Sequence, residues 1–487
     1  MTQYDNRSAA EASYLPPLRF GYTPFDAAKG CRGTLTSTPV WSLANPNLVL
    51  TDLNCDSLPD FLHTDPETGN HEVCWNQGRG RFSEPVPFAV QPTGVTLDQP
   101  GVQLLDMNGD GRADLVQKAG GTYDHFVWYA NCAGQPGYDE AHPVWGDEQT
   151  VVAPYLPFDL DAPDVRSLDL NGDKRMDYMR TTDAGFIYYF NDGGTWHEEG
   201  IYLFGEEEMG DLSFADDVRF ADADGRPKRN VELADMNGDG LLDLVRWHVF
   251  QGALEVMFWP NCGNGRWGCR TEMAADLALG TIPEENLRVF DINGDGLADI
   301  VAVDYDRLYF WVNRGNNSYT PCFEIADTPV YIPGQTQLHQ ADVNGNGSTD
   351  FVWENWDAAS GGWKLEYWDF IGDARPNLLA AIDNGLGVRT EIAYATTTDF
   401  YVKAKDGGNP WKTKLPFAST VVAKVAKKLG VDFDVLPGED EQIKEMAYHD
   451  GYYDTEEREF RGFAFAKVVE RGDDRYLKPG EQRTVYS

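Results

Sequence analysis

Short apolar runs recur along the chain, and an acidic phrase separates each from a second apolar run. The runs VQLLD, VELAD and LRVFD lead into the phrase, and DLVQK, DLVRW and DIVAV follow it. Farther along comes an aromatic segment that ends in a polar turn, as in VCWNQGRGRF and MFWPNCGNGRW, and then a shorter extended segment. Runs rich in Val, Phe, Tyr and Trp and bounded by Gly, Asn and Asp are typical of β-strands. The pattern therefore predicts four strands in each unit.

The acidic phrase, DMNGDGLLD in its fourth copy, occurs six times. The copies begin at Asp52, Asp106, Asp169, Asp235, Asp291 and Asp342. Repetition at this period in a turn-rich chain is typical of blade or solenoid arrays, and four-stranded sheets arranged around an axis form a β-propeller. No unit has the apolar spacing of a helix, which disfavours an alternating strand–helix solenoid. We predict an all-β fold built on a six-bladed β-propeller with integrin-like calcium loops.

The chemistry of the phrase suits calcium. Carboxylates or amides stand at positions 1, 3, 5 and 9, and Ca²⁺ takes about six to eight oxygen ligands. Glycine, common at positions 4 and 6, permits the positive φ that a tight loop needs. Position 7 varies and would add a backbone carbonyl. The predicted metal ligands are Asp52, Asn54, Asp56, Asp60, Asp106, Asn108, Asp110, Asp114, Asp169, Asn171, Asp173, Asp177, Asp235, Asn237, Asp239, Asp243, Asp291, Asn293, Asp295, Asp299, Asp342, Asn344, Asn346 and Asp350.

The two alternatives to such a calcium loop are an EF-hand and a metal-free turn. An EF-hand needs twelve residues ending in Glu between two helices, but position 12 is Gln117 in the second copy and Arg246 in the fourth. A metal-free Asn/Asp/Gly turn stays open for each copy. Up to six Ca²⁺ ions are predicted, bound most strongly at 106–114, 235–243 and 291–299. The other copies depart from the pattern at Cys55, Ser57, Lys174, Arg175 and Asn346.

Composition narrows the function classes. The chain carries 79 acidic and 40 basic residues, a net charge of −39, which disfavours nucleic acid and anionic membranes and favours cations or basic partners. No apolar run is long enough to span a membrane, and the first thirty residues contain no Sec-type apolar region. The seven cysteines are scattered and predict no disulfide framework. A local Cys262–Cys269 bridge stays open, although free thiols are the favoured interpretation.

Several motifs point to a known family. The acidic units resemble FG-GAP/VCBS repeats of integrin-type propellers. YLPPLRFGYTPF at 14–25, NPWKTKLPF at 409–417 and YHDGYYDTEEREFRGF at 448–463 occur in this order, with PNLLAAIDNGLGVRTEIAYATTTDFY at 376–401. Together they resemble the SpvB/TcdB family, the B components of insecticidal toxin complexes, from about residue 14 to 470.

The resemblance implies a secreted, non-enzymatic scaffold. Its propeller would bind an A-type pore-forming subunit and gate the passage of cargo, and a C-type Rhs shell subunit is the second expected partner. The implied organisation is an N-terminal segment at 1–45 with a possible ring-closing strand, the propeller at 46–375 and a shell-like β-segment at 376–487. The family pattern continues beyond these residues, so the chain is expected to be either a piece of a longer toxin or a short relative. Encapsulation of cargo by this chain alone is not expected.

Other functions have weaker support in the residues. A stand-alone calcium-stabilised adhesion or glycan-binding propeller is the main alternative. His449-Asp450 is the one pair that invites a catalytic interpretation, but no nucleophile or oxyanion motif accompanies it. The tail predicts a strand pair over 376–401 around Asn384-Gly385, strands with a helical turn over 419–436, and strand, turn, strand from residue 448.

Overall fold

Strands dominate the computed structural model of this chain. It describes residues 16–118, 126–135, 137–151, 156–173, 175–191, 196–250, 253–273, 282–359, 361–372, 375–429, 441–455, 457, 459–471 and 483–486. Within these residues the one α-helix is α1 (Thr397–Asp406), and four short 3-10 turns span Ala27–Lys29, Glu207–Met209, Phe214–Asp216 and Glu284–Asn286. The predicted all-β class is confirmed.

Six four-stranded antiparallel sheets contain the acidic phrases, one phrase in each. We call them repeat sheets 1 to 6. Sheet 1 is β3 (Leu48–Thr51), β4 (Asp60–Thr64), β5 (His71–Cys74) and β6 (Val86–Pro87), and sheet 2 is β7 (Val102–Leu105), β8 (Asp114–Lys118), β9 (Phe126–Asn131) and β10 (Trp145–Val151). Sheet 3 is β11 (Val165–Leu168), β12 (Asp177–Thr181), β13 (Gly185–Asn191) and β14 (Trp196–Leu203), and sheet 4 is β15 (Val231–Ala234), β16 (Asp243–Phe250), β17 (Ala253–Trp259) and β18 (Thr271–Glu272). Sheet 5 is β19 (Leu287–Phe290), β20 (Asp299–Asp304), β21 (Arg307–Trp311) and β22 (Phe323–Ala326), and sheet 6 is β23 (Gln337–Ala341), β24 (Asp350–Asp357), β25 (Gly362–Asp369) and β2 (Cys31–Thr34).

Sheet 6 takes its fourth strand from the beginning of the chain. Strand β2 pairs antiparallel with β25, with Cys31 opposite Asp369. Strand β1 (Arg19–Tyr22), in the YLPPLRFGY stretch, pairs instead with β26 (Leu379–Asp383) of a separate sheet. Residues 14 and 15 of that stretch lie outside the described residues. The strand that completes sheet 6 therefore follows the YLPPLRFGY stretch.

Each repeat sheet packs against the next through its own apolar core. Five of these cores join sheets 1 to 6 in sequence, and Trp247 and Trp311, both 1% exposed, lie in the core between sheets 4 and 5. A sixth core joins sheet 6 back to sheet 1, where Val352 packs with Phe61 and Leu48. Burying one large side chain contributes roughly 1.5–3 kcal/mol. Every repeat sheet consequently has two packed neighbours.

A seven-stranded antiparallel sheet follows the repeats. Its strand order is β1-β26-β27-β28-β29-β30-β31. The strands not yet given are β27 (Val388–Thr396), β28 (Thr420–Leu429), β29 (Glu441–Asp454), β30 (Glu459–Arg471) and β31 (Arg483–Tyr486). The predicted hairpin lies between β26 and β27, where Gly385 adopts φ +66°. β29 and β30 form the predicted strand, turn, strand, while the helical turn predicted within 419–436 falls on β28 or, from residue 430, outside the described residues.

The strand pair predicted over 376–401 is too long, because β27 ends at Thr396 and helix α1 begins at Thr397. The Thr396 side chain accepts a hydrogen bond from Asp399 N and caps the helix, and Gly407 ends it. Capping by Thr, Lys near the carboxyl end and Gly after it are helix signals. The β-branched and aromatic residues of TTTDFYV obscured them. Across the described residues, helices fall short of the length and apolarity that a membrane crossing requires.

The repeat sheets have two distinct ends. The acidic loop joins the first strand of each sheet to the second, and a hairpin joins the second to the third. Because neighbouring strands are antiparallel, loops and hairpins lie at opposite ends. We call them the loop face (the six loops that begin at Asp52, Asp106, Asp169, Asp235, Asp291 and Asp342) and the hairpin face (the hairpins carrying Phe250, Tyr305 and Trp356 among them). Cys262 and Cys269 are both exposed free thiols, so they form no bridge with each other.

Candidate functional site: the acidic loops

Each acidic loop folds around its own side-chain oxygens. In the fourth copy Asp235 accepts hydrogen bonds from Gly238 N (2.6 Å) and Gly240 N (2.8 Å). Asn237 Oδ1 accepts a hydrogen bond from Asp239 N (2.9 Å), and Asp239 Oδ1 accepts one from Leu241 N (2.9 Å). The other complete copies repeat this pattern. The structure thus gathers positions 1, 3 and 5 of each copy within one short loop.

The aspartate at position 9 has a different task. Asp243 is 0% exposed; its Oδ2 accepts from Met236 N (3.0 Å) and its Oδ1 from Asn261 N (2.9 Å). It therefore ties the loop to the end of the third strand. The same pair of bonds is made by Asp60, Asp114, Asp177 and Asp299.

Burial dominates the electrostatics of position 9. Desolvation raises the pKa of Asp114 and Asp243 to about 7 and that of Asp177 to about 6, although the backbone N–H donors favour the charged form. Each carboxylate is thus held in the fold against a desolvation cost.

An asparagine at the end of the third strand completes the network, and the sequence analysis missed it. Asn131 Nδ2 donates to Leu53 O in the loop of the preceding sheet (2.8 Å). Asn76 Nδ2 does the same to Val343 O (3.1 Å), which links sheet 1 to the loop of sheet 6. The signal was present in the sequence, in the Asn of WNQG, YANC, FNDG, WPNC and WVNR.

The ligand chemistry fits calcium, but the loops already use these oxygens. Within the described ranges, no three Asp, Glu, His or Cys side chains form a preassembled metal cage. A bound cation would compete with backbone N–H groups for positions 1, 3 and 5. Asn237 and Asp239 are exposed, so the fourth loop is accessible to such a cation.

The first loop carries a lysine ammonium beside its carboxylates. Lys414 Nζ lies 3.9 Å from Asp56 Oδ2 and also contacts Glu140, which Lys405 approaches at 3.3 Å. Burial opposes ionisation of Glu140, but the two lysines hold its pKa below the usual value. The Asp56 side chain is 0% exposed and that of Lys414 is 11% exposed. A positive charge from the C-terminal part of the chain therefore offsets the negative charge of this loop.

The first loop has Cys55 and Ser57 where most of the other loops have glycine, and it is the loop that contacts Lys414. Cys55 and Ser57 adopt φ +58° and +66°, a left-handed conformation that is unfavourable for residues other than glycine. Ser57 Oγ lies 2.5 Å from Thr398 Oγ1, and Leu58 packs with Tyr401 and its neighbours. Contacts with the C-terminal part of the chain thus stabilise a strained loop.

The sixth and fifth loops also contact the C-terminal part. In the sixth loop Thr396 Oγ1 donates to Gly345 O (3.0 Å), while Asn346 Nδ2 donates within sheet 6 to Asp369 Oδ2 of β25 (2.9 Å). In the fifth loop, Arg375 Nη2 donates to Gly294 O (2.7 Å). In the third loop, Lys174 lies outside the described residues. The loop face therefore holds residues 375–420 at several points.

His449 and Asp450 have a structural role in these contacts. Asp450 Oδ1 accepts a hydrogen bond from Lys412 N (2.6 Å), and His449 Nε2 lies 3.0 Å from Asn409 O. The pair fixes the backbone of 409–412, which leads to Lys414.

Comparison with known proteins bears on this architecture. Residues 323–474 match the family described as the insecticide toxin TcdB middle/N-terminal region. The predicted resemblance to the SpvB/TcdB family is confirmed. Residues 52–116 and 291–353 match the FG-GAP-like repeat. The TcdB match thus extends from β22 of sheet 5 through sheet 6 into the seven-stranded sheet.

Solved structures share the fold of this chain. A Photorhabdus luminescens Tc holotoxin pore is similar with TM-score 0.76 and 20% identity, over 94% of this chain and 20% of that chain. A TcdB2–TccC3 structure and a TcdB2–TccC3–Cdc42 structure each match with TM-score 0.60 and 19% identity over 96% of this chain. The chain therefore corresponds to about a fifth of the length of these solved chains (20–21%). No curated protein matches it in sequence.

Proposed function

We propose that this chain is a non-enzymatic scaffold of a Tc-type toxin complex, and that its repeat sheets form a closed six-bladed propeller which docks on a pore-forming subunit and gates cargo. Closure is supported by the six inter-sheet cores, the last of which joins sheet 6 to sheet 1. The pairing of β2 with β25 adds a second link between the two ends of the array. A strand from the other end of the repeats is a strong closure for such a ring, because unfolding one sheet then disrupts both ends.

Docking is supported by the exposed apolar side chains of the hairpin face. Phe250, Tyr305 and Trp356 are 56%, 59% and 57% exposed on the hairpins of sheets 4, 5 and 6. The connector between sheets 5 and 6 adds Val330 and Ile332, which are also exposed. Large apolar patches on a surface are typical of protein interfaces, where aromatic residues contribute most of the binding energy. This patch is the observation that carries the proposal.

The connector links the sheet 5 and sheet 6 parts of this patch. Tyr331 N donates to Tyr305 O (2.7 Å), and Asn355 Nδ2 donates to Val330 O (3.0 Å). The loop face, in contrast, already holds residues 375–420. The hairpin face is therefore the end of the repeat sheets at which we place a binding partner.

The similar solved structures suggest the class of partner. These structures are a Tc holotoxin pore and TcdB2–TccC3 assemblies. For this chain we accordingly assign an A-type pore subunit to the hairpin face and a C-type Rhs shell subunit to the seven-stranded sheet. Such a complex acts outside the producing cell, so we assign this chain to the extracellular space.

Calcium belongs to the proposal as a stabiliser. Loops 106–114, 235–243 and 291–299 have the donors to hold Ca²⁺ with positions 1, 3 and 5, and the ion would neutralise crowded carboxylates. In the first loop Lys414 supplies positive charge instead. In the sixth, Asn346 turns its amide to Asp369.

Binding to a purified A-type pore subunit tests the function. We expect the chain to be retained by the immobilised subunit and the Trp356→Ser variant to bind about tenfold or more weakly. Ser213→Ala, at a polar position in another connector, is the control. Absence of binding, combined with retention of the chain on a glycan array, would favour the adhesion alternative.

A further inference from the structure

A crevice opens between repeat sheets 3 and 4. Its volume is about 440 Å³, and the residues used below are Phe190, His197, Tyr202, Glu208, Asn264 and Arg266. This volume lies within the range of small-molecule sites, about 300–1,000 Å³. Neither the docking patch nor the contacts with residues 375–420 involve these side chains.

One wall of the crevice is aromatic and held in place from behind. The half-buried Tyr202 ring packs on Tyr188, with ring centroids 4.9 Å apart. Trp267 Nε1 in turn donates a hydrogen bond to Tyr188 Oη (2.7 Å). Phe190 lies against His197 with centroids 6.1 Å apart. Because its supports are buried, this wall is preorganised for a flat apolar surface of a ligand.

The remaining residues used here form a polar rim that is close to electrically neutral. Arg266 Nη2 lies 4.0 Å from Glu208 Oε1, so the two charges offset each other. Asn264 stands exposed at φ +55°, on a turn fixed by its backbone N–H to Leu170 O (2.8 Å). An amide, a carboxylate and a guanidinium together offer both donors and acceptors. This set matches hydroxyl groups, each of which donates and accepts.

We infer that the crevice binds a neutral saccharide of one or two rings. The C–H face of a sugar would stack on Tyr202, and its hydroxyl groups would bond to Asn264, Glu208 and Arg266. The net charge of −39 disfavours an anionic ligand, and the polar rim disfavours a purely apolar one. The inference is independent of docking on a pore subunit.

Titration of the purified chain with neutral sugars tests the site. The probes are glucose, galactose, N-acetylglucosamine and their disaccharides, followed by calorimetry and by saturation-transfer NMR. We expect at least one to bind, and Asn264→Gly to weaken it about tenfold. Glycine keeps the positive φ, so the melting temperature should not change. Tyr202→Leu should weaken binding further and remove saturation transfer to the sugar C–H protons.

The matched control is Asn316→Ala, in the corresponding turn of sheet 5, which should bind as wild type does. Three results would overturn the inference. They are failure of every sugar to bind the wild-type chain, binding that neither Asn264→Gly nor Tyr202→Leu changes, and binding of a zwitterionic amino acid such as glycine in place of the sugars.

Discussion

Lys414 Nζ lies 3.9 Å from Asp56 Oδ2, in the interior between the first acidic loop and the seven-stranded sheet. The ammonium group stands beside a loop whose sequence is related to calcium loops. It belongs to the segment that follows α1, so it also fixes that segment to the repeat sheets. Charge neutralisation and attachment of the two parts of the chain thus depend on one side chain.

Lys414→Met should destabilise the protein strongly. The change leaves the buried Asp56 and the half-buried Glu140 without their main cation, and removing one partner of a buried pair costs about 3–5 kcal/mol. Equilibrium denaturation in urea measures the loss, and hydrogen exchange over 397–415 should become faster. Lys405→Met is the control, because the Lys405 side chain is 31% exposed and should cost no more than about 1 kcal/mol. Equal effects of the two variants would show that Lys414 has no special role.

Calcium should raise the melting temperature, and EDTA should lower it. Asp239→Ala should reduce the calcium-induced increase, since it removes a carboxylate from a complete and exposed loop. Asn346→Ala should leave that increase unchanged and lower the stability of the metal-free protein, because Asn346 donates to Asp369. Differential scanning calorimetry with elemental analysis measures both effects. A melting curve indifferent to calcium and EDTA, with no metal in the protein, would exclude metal occupancy.

The buried position 9 should matter even without metal. Asp243→Ala leaves the N–H groups of Met236 and Asn261 without an acceptor, which costs about 1–3 kcal/mol for each unsatisfied group. We therefore expect Asp243→Ala to be clearly destabilised in EDTA, and Asp239→Ala to lose less than about 1 kcal/mol there. Urea denaturation in EDTA compares them. If both variants were stable in EDTA, position 9 would serve the metal alone.

A half-buried glutamate should make the stability of the protein depend on pH. Burial raises the pKa of Glu232 from 4.5 to about 7, although Arg288, Arg166 and Arg229 favour its charged form. The folded state therefore holds this proton more tightly, and the group's contribution to stability is complete below about pH 4.5 and lost as the pH rises through 7.

The Glu232→Gln variant isolates this effect. From pH 5 to pH 8 its unfolding free energy should increase relative to wild type by about 1–2 kcal/mol, since the site is half-buried. Glu272→Gln changes a side chain that is 72% exposed and should show no such trend. Urea denaturation at several pH values measures the unfolding free energy of each variant. If the free energies of Glu232→Gln and wild type changed in parallel with pH, the raised pKa of Glu232 would be contradicted.

The sequence was sufficient for much of the fold because the units repeat. Alternating apolar runs around six acidic loops predicted four strands per unit, and one four-stranded sheet is observed at each phrase. The role of position 9 could not be seen from the loop alone, since Asp243 and Asn261 are 18 residues apart and meet only in the folded sheet. Comparison of the units would have revealed the asparagine at or just after the end of the third strand in sheets 1 to 5.

Contacts between distant parts of the chain were beyond the sequence patterns. The sequence around Lys414 does not indicate that its side chain contacts Asp56. Strand β2 has only four residues, too few for a sequence pattern to predict its pairing with β25. Helix α1 was missed because its Thr, Phe, Tyr and Val residues favour strands, while the caps at Thr396 and Gly407 and the packing of Tyr401 favour the helix.

Cryo-electron microscopy of the chain bound to a purified A-type pore subunit would show both the arrangement of the repeat sheets and the face that docks. The proposed propeller should have six four-stranded blades around one axis, the sixth completed by Cys31–Thr34, with Phe250, Tyr305 and Trp356 against the pore subunit. A different number of blades, or a pore subunit bound at the acidic loops, would contradict this proposal.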